Sequence, residues 1–305
     1  MPEASSLATN QAKDKLGVYA LAGQSISAPP ARYNQGVPTL APHGERSTMP
    51  ADFKHLLWFL KLGALLNLYL IGSLWVLPKV HPQVLIPGLI LLGVSAFRCL
   101  FPNRYLDNVV FHDTPLSSIF LTRVLATFSE VAYIYQFAYL IRILNFEHIP
   151  WVDGLSWLMV VQVLISQGFV WAAILLKRLD LYFYEEVGWF IIFAANSAAS
   201  AFLYATTSPS ATGAGLLQLN LLFGAGYLPW QILHLRSLRG EAHSETGAQG
   251  STTWREGLAH ALRQRRPRTD AKSWGGGIGL TWMVAYWASL IPLWVHYIAV
   301  SIARV

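Results

Sequence analysis

Residues 155–176 read LSWLMVVQVLISQGFVWAAILL, 22 positions without a charged side chain, and Lys177 and Arg178 follow at once. At 1.5 Å per residue such a helix rises about 33 Å, enough to cross a hydrocarbon core about 30 Å thick. The stretch therefore reads as a transmembrane helix that ends on a basic connection. Six further apolar stretches share its character: residues 56–77, 84–101, 117–143, 181–205, 213–235 and 278–302. Pro78, Pro102, Pro150 and Pro209 fall between stretches, where a helix breaker costs little. Pro87, Pro229 and Pro292 fall inside them and are expected to bend their helices.

Composition points the same way. Of the 305 residues 54% are hydrophobic and only 12% charged, against about 25% charged in an ordinary soluble domain. Too little polar surface remains to keep a folded chain of this size dissolved. The 12 Trp and 13 Tyr suit the boundary between acyl chains and headgroups. Residues 1–53 are rich in Ala, Ser, Pro, Gln and Gly, lack an apolar period, and are expected to form a disordered cytosolic tail. No apolar core of about 7–15 residues near the start reads as a cleaved signal.

The basic residues fix an orientation. With seven spans, the tail and the connections after the second, fourth and sixth share one side. Thirteen Lys and Arg lie near the membrane on that side: Arg46, Lys54, Arg104, Lys177, Arg178, Arg236, Arg239, Arg255, Arg263, Arg265, Arg266, Arg268 and Lys272. The opposite side carries only Lys79, Arg142 and Arg304. The positive-inside rule then places the N-terminus in the cytosol and the C-terminus outside. The expected fold is an all-α polytopic membrane bundle of about seven transmembrane helices over residues 54–305. Its long basic cytosolic loop, 236–276, contains a short amphipathic helix. In residues 254–266, Trp254, Leu258, Ala261 and Leu262 share a face, while Arg255, Glu256, Arg263 and Arg266 point elsewhere. That pattern suits a helix lying on anionic headgroups of the cytosolic leaflet. The net charge of +6 is thereby assigned to membrane topology and lipid, not to nucleic acid.

Ionisable groups inside a span cost about 2.5–3.5 kcal/mol on insertion scales, so each calls for a reason. The third span holds Arg123, Thr127 and Glu130 at i, i+4 and i+7 on one face, with Gln136 further along. Side chains lean toward the helix N-terminus, so Arg123 is expected to point away from Glu130 and to find partners on other helices. Glu185 and Glu186, one turn into the fifth span, are the natural candidates. Glu185, Trp189, Asn196 and Ser200 make a second polar face there. Arg98 closes the second span. In residues 112–115, Asp113 or Thr114 is expected to cap the third, with Pro115 in its first turn. Gln167, Gln231 and His234 reach similar depth. The polar groups thus gather in the cytosolic half and fit a cavity opening there for a lipid or other amphipathic ligand. Glu130, Arg123, Glu185 and Glu186 are its candidate catalytic groups, with Arg123 as anion anchor and Glu130 as proton donor or acceptor. Arg98, Asp113, Thr127, Gln136, Trp189 and Asn196 are candidate binding residues. The alternative is that these pairs only fasten helices together.

Sharper chemistries fail on residue type. No lysine lies in the last span to hold retinal, and the nine histidines are scattered rather than paired as di-iron or haem sites require. His296, beside Trp294 and Tyr297, reads as an interfacial residue. The single cysteine, Cys99, rules out an internal disulfide and a thiolate metal site. Gly275, Gly276 and Gly277 precede a span and read as a flexible lead-in, not a phosphate loop. No cofactor or metal is expected. Three classes remain, in order: a lipid-directed membrane enzyme, a proton-coupled transporter, and a non-catalytic scaffold or sensor. The N-inside orientation opposes a G-protein-coupled receptor.

Orientation is directly measurable. Reporter fusions after residues 150 and 210 are expected to read outside, and one after residue 245 cytosolic; a cytosolic C-terminus overturns the seven-span topology.

Overall fold

The computed structural model describes residues 51–77, 80–105, 108–178, 180–245 and 252–303. The expected tail lies outside these except for residues 51–53, which begin the first helix. The chain is an all-α helical bundle: α1 Ala51–Val76, α2 Pro82–Leu100, α3 Ile119–Leu144, α4 Pro150–Leu176, α5 Asp180–Thr206 and α6 Ala211–Glu245. A short α7, Trp254–Arg263, precedes the last span, which is α8 Gly276–Met283, a π-helical turn Val284–Ala288 and α9 Leu290–Ile302. Six helices are long and apolar enough to cross a membrane: α1 to α5 and the composite last one. This is a multi-pass membrane protein.

The stretch at 213–235 is helical too, but α6 falls short of the others in hydropathy. The reason is visible in its partners. Gln218 Nε2 donates to Tyr204 Oη at 2.8 Å, Asn220 Nδ2 to Ser200 Oγ at 3.1 Å and Asn196 Oδ1 at 3.3 Å, and Gln231 Nε2 to Glu186 Oε2 at 2.7 Å. These pairs step down α5 as they step up α6, so α6 runs antiparallel to α5 along its length. Asn220 and Gln231 are buried against α5, while the Gln218–Tyr204 bond lies at the exposed surface.

The connections after α2, α4 and α6 meet at one end of the bundle. A small sheet joins β1 Asn103–Arg104, β2 Val109–Val110 and β3 Arg266–Pro267, tying the connection after α2 to the one after α6. The Arg265 Nε–Asp113 Oδ1 ion pair, 2.7 Å, and the Phe111–Trp274 ring stack hold the same junction. α7 packs across the ends of α3 and α4. Thr253 and Glu256 close its first turn in a reciprocal capping box. A methyl on Gly257 would lie 1.7 Å from the Leu175 carbonyl oxygen, so only glycine permits this approach. Ala261 is buried beside it, whereas Trp254, Leu258 and Leu262 stay exposed. The amphipathic helix expected at 254–266 thus ends at Arg263, and its small residues, not its large ones, face the protein. The sequence-expected loop also shortens, because α6 continues to Glu245.

The start of α3 differs from expectation. Thr114 and Pro115 open a separate 3₁₀ turn, Pro115–Ser117, and α3 is capped by Ser118, whose Oγ accepts from Leu121 N at 3.3 Å. Asp113 is drawn to Arg265 instead. Pro87 and Pro229 lie within continuous helices, whereas the last span breaks at Ser289, just before Pro292. Proline cannot donate to the carbonyl four residues back. The interrupted segment is accommodated from α1 and α2: Trp287 O accepts from Asn67 Nδ2 at 2.9 Å and from the Cys99 thiol at 3.4 Å. Gly63 lets α1 approach, since a Cβ there would meet Ala288 Cβ at 2.4 Å.

The Gly257 contact gives a test. Gly257→Leu is expected to dislodge α7 from α4, to cost about 1–3 kcal/mol as overpacking does, and to speed proteolysis within residues 254–268. Unchanged cleavage and thermal unfolding would show that the approach is dispensable.

Candidate functional site

A cavity of about 270 Å³ opens at the basic end of the bundle. Its walls come from the last turn of α2, β1, the first part of α3, the start of α5, the middle of α6, the α8–π segment and the first turn of α9.

The α3 wall carries Arg123, 1% exposed. The guanidinium folds up the helix onto Glu130: Nη2 donates to Oε2 at 2.6 Å and Nη1 to Oε1 at 3.4 Å. Gln167 of α4 completes a triangle, accepting from Arg123 Nη2 and donating to Glu130 Oε2 at 2.9 Å. Thr127 supports it, accepting from Trp171 Nε1 at 3.0 Å and from Arg123 Nε at 3.5 Å. The direct pair within α3 corrects the sequence expectation. Glu130's own lean brings its carboxyl back toward Arg123, and the long arginine reverses to meet it. Any rotamer cost of about 1 kcal/mol is small beside the roughly 3–5 kcal/mol of a buried charge left unpaired. Both Glu130 oxygens are thereby engaged, as are the guanidinium's terminal nitrogens.

Arg98 is different. It is 8% exposed, and its partners are neutral: Asn103 Oδ1 at 2.8 Å, Tyr105 Oη at 3.3 Å and Asn103 O at 3.4 Å. Its guanidinium lies 4.8 Å from the Trp287 ring centre and 5.3 Å from that of Tyr105. Nε has no hydrogen-bond partner. Asn103 is itself held by Ser117 O at 3.0 Å and Thr122 Oγ1 at 2.5 Å, so the acceptor is preset.

On the facing wall, Glu185 is 7% exposed and forms no ion pair among the described residues. Ser166 Oγ donates to its backbone carbonyl at 3.4 Å, and Trp189 lies alongside its carboxyl. Glu186 accepts from Gln231 at 2.7 Å and sits 3.7 Å from His234 Nε2.

The cavity thus brings together Arg98, Arg123, Glu130, Glu185, Glu186 and Trp189 of the sequence candidates. Thr127 stands behind the ion pair without lining the cavity. Gln136 ties α3 to its neighbours, donating to Val84 O at 3.2 Å and Val295 O at 3.3 Å. Asn196 binds Asn220, and Asp113 is a surface residue paired with Arg265. Sequence reasoning missed the aromatic wall: Tyr105, Tyr133, Tyr182, Tyr227, Trp282, Tyr286 and Trp287 all line the cavity. A signal existed, since Tyr133 follows Glu130 by three residues and Tyr227 precedes Gln231 by four, each on the polar face of its helix. Arg104 was missed as a lining group as well; its Nη1 donates to Ser273 O at 3.0 Å and fastens the rim.

Outside the spans, burial and the neighbouring cations Lys177 and Arg266 hold the His260 imidazole below its ordinary 6.5. A neutral ring fits its contact with Asn108, whose Nδ2 lies 3.2 Å from His260 Nδ1. His296, at the other end of the bundle, bonds Ser73 Oγ at 2.6 Å. Among the described residues no cluster of His, Cys, Asp or Glu is placed to hold a metal ion.

Comparison with known protein families, with characterised proteins and with solved structures finds no match to this chain.

The ion pair can be tested by a double-mutant cycle. Arg123→Met and Glu130→Met alone are each expected to lower stability by about 3–5 kcal/mol, while the double variant recovers most of the loss. Additive losses in thermal unfolding would mean the two groups are not coupled.

Proposed function

We propose that this membrane protein is an enzyme acting on a lipid or similar amphiphile, whose polar head enters the cavity from the basic, cytosolic face. One observation carries the reading: among the described residues, the cavity holds a buried cation, Arg98, that forms no ion pair with a carboxylate, and a buried carboxyl, Glu185, that forms none with a cation. A bundle built only for stability pairs such groups, as α3 does with Arg123 and Glu130. Groups left open toward a cavity are available to a ligand.

The roles follow from what each group has spare. Arg98 keeps Nε and its positive charge for an anionic part of the head. Glu185 has carboxyl oxygens outside any ion pair and is the group able to accept or donate a proton at the reacting atom. Glu130, the sequence candidate for that role, is committed to Arg123, so the pair serves to position rather than to react. The tyrosines and tryptophans supply apolar surface that excludes water, with hydroxyls and indole N–H groups for hydrogen bonding.

A second reading has its own support. The last span is interrupted at Val284–Ala288 beside the cavity, and broken helices at a binding site are a feature of carriers. In that reading Glu185 takes up the coupled proton.

The full chain, gently purified and analysed by mass spectrometry, is expected to retain a defined amphiphile. Arg98→Gln should reduce the retained amount about tenfold or more, the equivalent of losing a charge-assisted contact. Glu185→Gln should retain the amphiphile but slow its conversion at least about a hundredfold. Recovery of the same species, unconverted but moved between vesicle leaflets, selects the carrier. Retention of nothing by the wild type removes both readings.

A further inference from the structure

The cavity has a second compartment on its outer side. A hollow of about 240 Å³ lies against the bundle exterior between α6 and α8, lined by Trp230, Gly277, Thr281, Trp282 and Ala285. Trp282 also lines the inner cavity, so its indole borders both spaces. The compartments differ in chemistry. The inner one holds arginine and glutamate side chains, whereas the outer one has none, its polar side-chain groups being the Thr281 hydroxyl and two indole N–H groups.

The partition is made of rings. α6 packs along α5, and it bridges to the last span through ring contacts: Trp230 stacks on Trp282 at 5.2 Å and 10°, Tyr227 meets Trp282 tilted at 6.4 Å, and Phe223 meets Trp294 edge-on at 4.7 Å. Side chains rotate far more readily than packed backbones separate. On the α8 side, Gly277, Thr281 and Ala285 recur every four residues, so one face of α8 is kept low beside the indoles. The π-turn begins directly after Met283, and a π-turn is a local interruption of the kind that marks functional positions in helices. Trp230 stacks in turn on His234 at 5.1 Å, and His234 lies 3.7 Å from Glu186 of the inner cavity. The partition is therefore in contact with the site's own carboxyl.

We infer that the α6–α8 seam is a lateral doorway, closed by the Trp230–Trp282 stack, whose outer hollow seats the hydrocarbon chain of an amphiphile whose head occupies the inner cavity. The inference rests on the head-binding half of the function proposed above, and it narrows the ligand to a molecule drawn from the bilayer plane with its chain left at the seam. Water-soluble polar ligands need no such hollow. Its position on the apolar last span, with large apolar side chains such as Leu222 and Leu233 exposed on α6, makes hydrocarbon the occupant that a bilayer would supply.

The test uses the full chain in phosphatidylcholine nanodiscs containing phosphatidylglycerol or phosphatidylethanolamine with a diazirine in one acyl chain, each probed separately. Labelling of Thr281 and Trp230 by at least one of them is expected to saturate at low mole fraction. Labelling of Leu222, 71% exposed, is expected to rise in proportion to the probe and to serve as the bulk-lipid control. Ala285→Trp, which fills the hollow, should cut the saturable labelling at least tenfold. Thr281→Phe, at an exposed position, should act likewise, and thermal unfolding checks that both variants fold. Labelling at the seam that follows probe concentration linearly, or that both filled variants leave unchanged, overturns the doorway. If a species sensitive to Arg98→Gln is still retained in that event, the head site stands and only the doorway falls. If none is retained, both fall.

Discussion

A guanidinium withdrawn from water must be met by protein atoms, and the bundle is arranged around how Arg123 is met. Glu130 takes two of its donors and Gln167 a third contact, so the pair fixes α3 against α4 at one depth. The same rule recurs at each helix interface. Gln136 reaches backbone carbonyls of α2 and α9, Asn67 reaches the interrupted last span, and Asn220 and Gln231 set the register of α6 on α5. In lipid, apolar contact alone discriminates poorly between helix partners, because acyl chains are as apolar as leucine. Polar pairs at matched depth are what make one packing preferable to another.

This explains which parts of the structure were legible in the sequence. Helix positions follow from solvent transfer, which acts on each stretch independently, so all seven apolar runs became helices, with ends shifted by a few residues except in α6, which runs ten residues further, and with a break in the last. The side of each connection follows from charge, another local property. The stretch at 213–235 is a helix as expected, but its hydropathy leaves it outside the six helices apolar enough to span, because Asn220 and Gln231 are polar residues spent inside the bundle on α5. The gathering of polar residues near the basic end was also readable, since depth can be counted along each helix.

Partners were not readable, because they depend on helix rotation and on side-chain reach. The lean of helical side chains argues against Arg123 meeting Glu130, yet a seven-atom arginine has enough torsions to reverse and meet the carboxyl. Asp113 looked like a helix cap and is instead an anchor for Arg265, which is 152 residues away in the chain. The sheet over the cavity consists of three two-residue strands, too short for any alternating pattern to register. Aromatic residues were assigned to the membrane boundary as a class, and that averaging hid the subset that lines the cavity.

The contrast between Arg123 and Arg98 then acquires meaning. Both are buried arginines near the same end of the bundle, and both had a carboxyl within the fold's means. One is neutralised within its own helix; the other is given an asparagine, a tyrosine hydroxyl and two ring faces. Neutral acceptors and π-faces hold a guanidinium in place while leaving its charge uncancelled, so its field still reaches into the cavity. Glu185 is the mirror case, a carboxyl fixed among aromatic side chains and kept from the nearby arginine by Glu130's prior claim on it.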